Sequence, residues 1–322
     1  MSKTPPFRPK RHFTARRVHL IVFPGFQLLD AAGPIAAFEI AGRFARDAYT
    51  LKVMASVPGL VASSSGVAMP AERLSLAKAD TLMVVGGNGT AEAMRDDKLM
   101  ASLKRAQVRR MSSVCSGSFL LAQAGLLNGK RATTHWRRAS QLAKLFPNVR
   151  VEPDHIFVKD GAVWTSAGVT AGIDLALAMI AEDLGVEIAT DVAREMVVHA
   201  KRPGGQTQHS TLLEFGGERF AKLNLWINAH LSEDLSVERL AKQAAMSPRN
   251  FSRAYSAETG VTPAKAVERL RTEAARTALE AGGAIQEIAA RTGFGDSERM
   301  RRAFVRLYGA PPASLRRTLR NA

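Results

Sequence analysis

The last hundred or so residues of the chain contain one sequence unit twice. Leu240 and Ala241 recur as Ile288 and Ala289 at an offset of 48 residues. Four further positions recur at an offset of 49 residues: Phe251, Tyr255, Gly260 and Pro263 correspond to Met300, Phe304, Gly309 and Pro312. A nearly constant offset across apolar, glycine and proline positions indicates a duplicated structural unit. This part of the chain must therefore fold as two copies of one small supersecondary structure.

Each copy is typical of a helix-turn-helix unit, in which a short helix and a tight turn precede a second helix that enters the DNA major groove. The two units are predicted at about residues 237–256 and 285–308. In the first unit, Ser247 is a suitable N-cap, and Pro248 occupies the first helical position, where its missing N–H costs nothing. The spacing i, i+3, i+4 predicts a buried stripe on each second helix, formed by Phe251, Ala254 and Tyr255 and by Met300, Phe304 and Leu307.

The side chains opposite these stripes point outward and are the candidate DNA contacts. They are Arg249, Asn250 and Arg253 in the first copy and Glu298, Arg299, Arg301 and Arg302 in the second. Arginine suits guanine edges, asparagine adenine and glutamate cytosine, and any of the arginines can equally hold phosphate. A long helix from Thr262 and Pro263 would join the copies rigidly, so that readers about 34 Å apart reach successive major grooves. The alternative is a helical domain with basic solvated faces, which leaves the repeat unexplained.

The positive charge of the chain is concentrated at its two ends. The net charge is +16, and residues 1–17 carry six Lys or Arg and no acidic residue. Residues 219–322 carry 18 basic against 10 acidic residues, whereas the region between carries 21 against 19. This distribution favours a polyanionic partner. Residues 1–17 are predicted to be a disordered tail, with either a nonspecific grip on DNA or no role.

The repeat resembles the DNA-binding domain of AraC/XylS-type transcription regulators over about residues 219–322. The resemblance implies that double-stranded DNA is a partner, and it admits RNA polymerase as a second one. It also implies two helix-turn-helix units that act together on one stretch of DNA.

Residues 18–200 alternate short apolar strands with helices. Strands are predicted at residues 18–23, 49–56, 81–85, 112–114, 149–151, 156–158 and 163–166, and helices at 33–44, from 119, at 170–184 and at 186–200. This alternation predicts an α/β domain with a doubly wound, mostly parallel sheet of the flavodoxin-like type, covered on both faces. Such sheets bind ligands at the carboxyl ends of their strands. Residues 201–217 lack apolar periodicity and are the predicted linker to an all-α domain at residues 218–322.

Cys115 is the only cysteine, and it stands where a predicted strand ends and a helix begins. This is the elbow geometry that exposes a nucleophile, and the helix N-terminus favours the thiolate. Gly117 would relieve crowding there, while Gly86 and Gly87 would bring backbone N–H groups to the same point. The alternative is a small buried residue, since free cysteine is commonly buried. A single cysteine also excludes an intramolecular disulfide and fits a reducing cytoplasm.

Two further polar residues follow strand ends. Asp30 is either buried with a partner or the cap of a helix opened by Gly33 and Pro34. His135 either faces the same pocket as Cys115 or is a hydrogen-bonded structural residue. Seven scattered histidines and one cysteine offer no metal-binding spacing, so neither a metal nor another cofactor is expected.

The motifs around these residues resemble the ThiJ/PfpI branch of the class I glutamine-amidotransferase-like fold. They lie at residues 23–34, 84–87, 114–122, 124–136 and 165–174. Together with the carboxyl-terminal repeat they resemble regulators of the GlxA-type family over about residues 17–322. The resemblance implies a sensor domain whose effector pocket comprises Asp30, Gly87, Cys115, Ser116, His135 and Gly168.

The chain departs from the enzymes of this fold at two positions. Family peptidases and glyoxalases carry His directly after the nucleophilic Cys and Glu at the first acidic position, where this chain has Ser116 and Asp30. The late His-x-Glu pair of the glutaminases is also absent from the sequence. Hydrolysis by a Cys–His pair is therefore not expected, and no catalytic residue is assigned. The pairing of Asp with Cys does resemble the isonitrile hydratases, which add water across an isonitrile.

Three functional hypotheses follow from these patterns. The first is a cytoplasmic, nucleoid-associated transcription regulator, not an enzyme, that binds a small nitrogenous metabolite in its first domain and forms homodimers through it, as the resemblance implies. The second is a Cys-dependent hydratase or hydrolase that also binds DNA. The third is a redox sensor in which Cys115 becomes a sulfenic acid. No apolar run reaches the roughly 18 residues of a membrane span, so a membrane is not an expected partner.

Overall fold

The computed structural model describes residues 15–75, 78–198, 218–280 and 282–314, together with residues 204, 208, 211 and 215. The chain divides into two compact units, residues 1–208 and residues 209–322. Most of the predicted tail and much of the predicted linker lie outside the described residues. The two units are treated separately below as the first and the second unit.

Seven of the ten strands in the described part of the first unit lie at predicted positions, whereas those at residues 59–62, 68–73 and 131–132 were not predicted. The ten strands are β1 (Arg16–Ile21), β2 (Tyr49–Ala55), β3 (Gly59–Ala62), β4 (Ala68–Arg73), β5 (Thr81–Val84), β6 (Arg110–Val114), β7 (Arg131–Ala132), β8 (Arg150–Val151), β9 (Phe157–Asp160) and β10 (Val163–Ser166). Eight of them form one sheet in the order β3-β4-β2-β1-β5-β6-β10-β9, and β7 pairs with β8. All pairs in the large sheet are parallel except β3 with β4 and β9 with β10. The predicted mostly parallel α/β sheet is confirmed.

Seven helices accompany the sheet in the described part of the first unit. They are α1 (Leu28–Phe44), α2 (Thr90–Ala93), α3 (Asp97–Arg105), α4 (Gly117–Gln123), α5 (Trp136–Leu145), α6 (Ala171–Leu184) and α7 (Val186–Glu195). Every residue of the central strands β5 and β6 is buried. Central strands buried on both faces are what a parallel sheet requires, because crossover helices cover both of its sides. The sheet therefore presents the carboxyl ends of β1, β5 and β6 side by side.

The first helix starts earlier than the sequence predicted. Helix α1 begins at Leu28, so Gly33 and Pro34 lie inside it and do not open it. Both residues serve helix packing, since a Cβ on Gly33 would come within 2.9 Å of the Ile173 side chain on α6. The prediction of a helix start at Gly33 was wrong because tertiary packing, not capping, explains these two residues.

The second unit consists of helices in its described part. They are α8 (Glu218–Ala229), α9 (Val237–Gln243), α10 (Pro248–Thr259), α11 (Pro263–Glu280), α12 (Ile285–Arg291) and α13 (Ser297–Tyr308). One core gathers α8, α9, α10 and the first half of α11, and a second core gathers the rest of α11 with α12 and α13. The long helix α11 therefore supplies a wall to both helix-turn-helix units, α9–α10 and α12–α13.

The predicted buried stripes are confirmed at four of their six positions, and Ala254 is only partly buried. Phe251, Tyr255, Met300 and Phe304 are fully buried, whereas Leu307 is 41% exposed. Residue 303, an alanine, occupies the buried position next to Phe304. The prediction for Leu307 was wrong because Tyr308, four residues after Phe304, packs against the core from the last turn of α13 in its place.

Candidate functional site

Cys115 occupies a sharp turn between β6 and α4. Its backbone lies in the left-handed region with φ of 55°, a conformation that costs a non-glycine residue energy and needs support. The Cys115 N–H donates to the carbonyl of Ser166 at 3.0 Å, and its own carbonyl accepts from Thr134 Oγ1 at 2.9 Å. Gly117 is required behind the turn, because a Cβ there would lie 2.2 Å from the Val84 carbonyl oxygen. The elbow predicted from the sequence is present.

The carboxylate of Asp30 lies buried beside this elbow. Its Oδ1 accepts the Val169 N–H at 2.8 Å, and its Oδ2 accepts the Gly86 N–H at 3.1 Å. Asp30 is thus buried with partners, the first of the two alternatives left open by the sequence. Burial raises the pKa of Asp30 to about 6, and the hydrogen bonds from Val169, Gly86 and the Cys115 thiol limit the rise.

The thiol of Cys115 is a poor source of thiolate. Burial first, and the nearby charge of Asp30 second, raise the pKa of Cys115 to about 12. The prediction that the helix N-terminus favours the thiolate was therefore wrong. Desolvation and a neighbouring negative charge oppose ionisation of a thiol, and here they outweigh the N-terminus of the short helix α4.

Gly168 lies in tight contact with both Cys115 and His135, where no side chain would fit. A Cβ at Gly168 would lie 2.7 Å from the Cys115 sulfur and 2.9 Å from His135 Cδ2. The thiol and the imidazole therefore face each other across a residue without a side chain. His135 also begins α5 as its N-cap, and its Nδ1 accepts the Arg137 N–H at 3.3 Å. His135 therefore has the structural bond of one alternative and lies near the thiol, and its place in an effector pocket stays a prediction.

Ser116 and Gly87 support the elbow from behind. The Ser116 side chain is buried, and its Oγ accepts the Gly87 N–H at 3.0 Å and shares a hydrogen bond with Thr90 Oγ1 at 2.8 Å. Gly86 is the nearer of the two glycines to the thiol, because a Cβ there would lie 2.8 Å from Cys115 Cβ. The structure thus brings Asp30, Cys115, His135 and Gly168 together, with Ser116 and Gly87 in a layer beneath them.

Two contributors to the site carried little sequence signal. The Val169 N–H binds Asp30, and Val169 adopts a positive φ of 60° that a β-branched residue rarely takes. Thr134 holds the Cys115 carbonyl. Thr134 lies beside His135 in the motif at residues 124–136, whereas nothing in the residue type of Val169 indicates its role.

The candidate DNA contacts lie on exposed faces of α10 and α13. All seven side chains are exposed: Arg249, Asn250, Arg253, Glu298, Arg299, Arg301 and Arg302. On α10, the Arg253 guanidinium donates to Asn250 Oδ1 at 3.3 Å. On α13, Arg301 makes a two-pronged bond to Glu298 at 2.7 and 2.8 Å. Their contact with DNA stays a prediction.

No group of three or more His, Cys, Asp or Glu residues arranged to hold a metal ion occurs within the described ranges. Among the helices that the structure describes, none is long and apolar enough to cross a membrane.

Comparison with known proteins assigns both units. The model of the DJ-1/PfpI family matches residues 16–182, and that of a helix-turn-helix domain matches residues 240–318. The chain is 31% identical over 314 residues to the HTH-type transcriptional regulator GlxA of Rhizobium meliloti (strain 1021), covering 94% of this chain and 96% of that protein.

Two further relatives match the first unit. The isonitrile hydratase of Pseudomonas putida is 35% identical over 181 residues, which is 54% of this chain and 75% of that enzyme. A solved structure of a ThiJ/PfpI family protein from Pseudomonas syringae is 28% identical with a TM-score of 0.53 and covers 59% of this chain and 78% of its own. The regulator GlxA and the isonitrile hydratase are thus both similar in sequence to the first unit of this chain.

Proposed function

The chain belongs to the AraC-type transcription regulators that carry a DJ-1/PfpI domain before the helix-turn-helix domain, and from this premise we propose that its sensor responds to a small nitrogenous metabolite. The metabolite binds beside Asp30, Cys115 and His135. The second unit reads DNA through α10 and α13. Binding of the metabolite changes how the two helix-turn-helix units sit on their operator.

The observation that carries this proposal is the charge of Asp30. With a pKa of about 6, this carboxyl group is mostly ionised at neutral pH although it is fully buried. It accepts hydrogen bonds from two backbone N–H groups and a thiol, and no ion pair to it occurs among the described residues. A buried charge without a counter-charge is costly. A ligand with an ammonium group or N–H donors at the thiol would offset that cost.

The sensor can act only through a difference in affinity. A metabolite shifts the protein toward a second state only by as much as it binds that state better. Here the state that holds the nitrogenous group closest to Asp30 is the one that gains. We therefore expect the metabolite to change the conformation of the residues around the elbow, and thereby the occupancy of DNA.

Thermal unfolding of the purified full chain tests the ligand class. Free amino acids and quaternary ammonium compounds are added one at a time, and the matched control is the Asp30→Asn variant, which keeps the shape and removes the charge. A ligand at a hundred times its Kd stabilises the folded state by about 2.7 kcal/mol. We expect this stabilisation in the wild type and its loss in the variant. Equal stabilisation of both proteins contradicts the role of Asp30.

Selection of sheared genomic fragments tests the regulator as a whole. At about 150 mM salt the nonspecific phosphate contribution is suppressed, so enrichment reports sequence-specific binding. We expect a few fragments to be enriched, and an active amine to change their yield. Homodimerisation through the first unit and contact with RNA polymerase are parts of the same proposal, and sedimentation of the full chain with and without operator DNA measures the first of them.

A second candidate function is hydration by the pair of Cys115 and Asp30. Two observations favour it, the hydrogen bond between thiol and carboxylate and the similarity of the first unit to an isonitrile hydratase. The thiol pKa of about 12 argues against it, because on the order of one thiol in 100,000 is ionised at pH 7. Turnover of an isonitrile by the wild type, abolished in Cys115→Ala, would establish the enzyme. Absence of turnover leaves the regulator alone.

A further inference from the structure

Gln208, in the segment between the predicted domains, places its side chain in a cleft of the first unit. Its Oε1 accepts the Trp136 N–H at 2.8 Å. Its Nε2 donates to the carbonyl oxygens of Thr134 at 2.8 Å, Pro153 at 3.1 Å and His155 at 3.2 Å. A side chain with this many backbone partners holds its segment in place, because each bond fixes it to a different part of the fold.

The cleft is complementary to one chemical group, the primary carboxamide. It presents the Trp136 N–H, in the first turn of α5, as a donor, and several carbonyl oxygens as acceptors in reach of one NH₂ group. A carboxamide has one acceptor oxygen and one nitrogen with two N–H donors, both attached to the same carbon. A carboxylate of the same shape has no donor and would face three carbonyl oxygens with its negative charge. The cleft therefore selects an amide against an acid.

The backbone of Gly204 and of Gln208 is bonded to the same stretch of the first unit, residues 154–157. The Gly204 carbonyl accepts the Phe157 N–H at 3.2 Å, and the Gln208 N–H donates to Asp154 Oδ1 at 3.4 Å. A Cβ at Gly204 would lie 2.6 Å from the Phe157 carbonyl oxygen, so only glycine permits this approach. Residues 204 and 208 thus both lie along residues 154–157.

The cleft and the candidate effector site share one short loop. The Thr134 carbonyl accepts a hydrogen bond from Gln208 Nε2, and the Thr134 hydroxyl donates one to the Cys115 carbonyl at 2.9 Å. His135, the next residue, faces the thiol across Gly168. The loop 133–136 is therefore bonded to the elbow on one side and to the interdomain segment on the other.

We propose that this cleft is an intramolecular carboxamide-binding site whose ligand is Gln208, and that an occupant of the Cys115 site releases it. The second part rests on the proposed sensor function. An occupant between Cys115 and His135 displaces the loop 133–136, which separates the Trp136 N–H and the Thr134 carbonyl from Gln208. The segment that contains Gln208 is then no longer bonded to the loop 133–136.

Amide hydrogen exchange of the full chain tests the carboxamide site, with the Gln208→Glu variant as the probe. The variant keeps the side-chain shape and removes both donors. The matched control is Gln206→Glu, which makes the same change of charge in the same segment. We expect exchange of the Trp136 amide to rise roughly tenfold in the first variant and to stay unchanged in the control. Unchanged exchange in Gln208→Glu overturns the proposal.

The Gly168→Ala variant tests the coupling without a known ligand. The added Cβ would lie 2.7 Å from the Cys115 sulfur and 2.9 Å from His135 Cδ2, so it must displace one of them, as an occupant would. Gly42→Ala is the control, because nothing lies within 4 Å of a Cβ there. We expect faster exchange at Trp136 in Gly168→Ala and no change in Gly42→Ala. Fast exchange in Gln208→Glu alone overturns the coupling. Since the readout needs no DNA, a failure of the regulator hypothesis would appear separately, in the fragment selection.

Discussion

The two helix-turn-helix units share a backbone plan but differ in the chemistry of their recognition helices. Helices α10 and α13 each contain 12 residues and each end at a glycine in the left-handed conformation, Gly260 and Gly309. On α10 the outward side chains Arg249, Asn250 and Arg253 have no acidic neighbour in the first two turns. On α13 an acid, Glu298, sits among the arginines. Duplication has thus preserved the fold of the unit and left its reading surface free to diverge.

The cores beneath these surfaces differ as well. In the α9–α10 core, Phe251 and Tyr255 pack with Phe220 of α8, and their ring centroids are 5.2 to 5.7 Å apart. In the α12–α13 core, Phe304 packs with Tyr308, and their ring centroids are 5.4 Å apart. The α12–α13 core is also the smaller, and no helix corresponding to α8 packs on it in the described part of the chain. We infer that α12–α13 is the less stable of the two.

The largest predicted effect is on this smaller core. Replacing Phe304 by Ala removes its central side chain and should cost about 3–5 kcal/mol, as in other Phe→Ala core changes. Hydrogen exchange measured separately over α10 and α13 should show the loss in α13, because the two cores are distinct. Phe251→Ala should act on α10 in the same way while leaving Phe220 and Tyr255 to pack together.

Leu307→Ala is the matched control for Phe304→Ala. It truncates an apolar residue on the same helix, but one that is 41% exposed. Exposed substitutions of this kind usually change stability by less than about 0.5 kcal/mol. A cost for Leu307→Ala near that of Phe304→Ala would mean that α13 packs differently.

The second prediction compares the two readers on DNA. Arg253→Ala and Arg302→Ala should each weaken specific binding by about 1–3 kcal/mol if they contact bases. The loss should be larger for Arg253, because Arg302 already lies 3.8 Å from Glu298. Titration of an enriched operator fragment at fixed salt measures both. Arg46→Ala, which removes an exposed charge from the first unit, is the control, and unchanged affinity and sequence preference in both reader variants would contradict the assignment.

The third prediction concerns how each recognition helix begins. Asp296 accepts the Arg299 N–H at 2.7 Å, whereas Ser247 makes no side-chain cap bond. Asp296→Ala should therefore destabilise α13 by about 1 kcal/mol, and Ser247→Ala should cost α10 only a few tenths. Exchange of the first-turn amides distinguishes the two. An equal cost at both positions would show that Ser247 does cap its helix in solution.

The sequence predicted the features that depend on helical periodicity and on the order of strands and helices. The buried positions Phe251, Tyr255, Met300 and Phe304 follow from helical spacing, and the meeting of Asp30 with Cys115 follows from strand ends in a parallel sheet. Leu307 failed because exposure in a last turn depends on neighbouring helices.

Two properties of the sensor site depend on contacts distant in sequence. The protonation of Cys115 is set by burial and by a carboxylate from another element, neither of which a local motif reveals. The anchoring of Gln208 had no signal either, since its segment shows only a lack of apolar periodicity. A glutamine there looks like any other solvated linker residue until the cleft that holds it is known.

The smallest predicted effect, on Glu298, addresses the difference between the two reading surfaces directly. Its hydrogen bonds with Arg301 keep the pKa of Glu298 below its usual value, so it stays ionised at neutral pH. Either it accepts from a cytosine, positioned by Arg301, or it withholds Arg301 from a phosphate. Glu298→Gln removes the charge in both cases, but the consequences differ.

If Glu298 withholds Arg301, the variant gains about one phosphate contact, and the slope of log K against log salt steepens by about one on every sequence. If Glu298 reads a base, the slope stays and the preference at one base pair is relaxed. Glu287→Gln is the control, because it removes an exposed acid paired with Arg291 on α12 and leaves the recognition helix intact. We expect the steeper slope. Both carboxylate oxygens of Glu298 accept from Arg301, and Arg302 lies within 3.8 Å, so Glu298 has little capacity left to accept from a base. An unchanged slope with unchanged preference would mean that α13 does not enter the groove, and the two units would then differ in function as well as in surface.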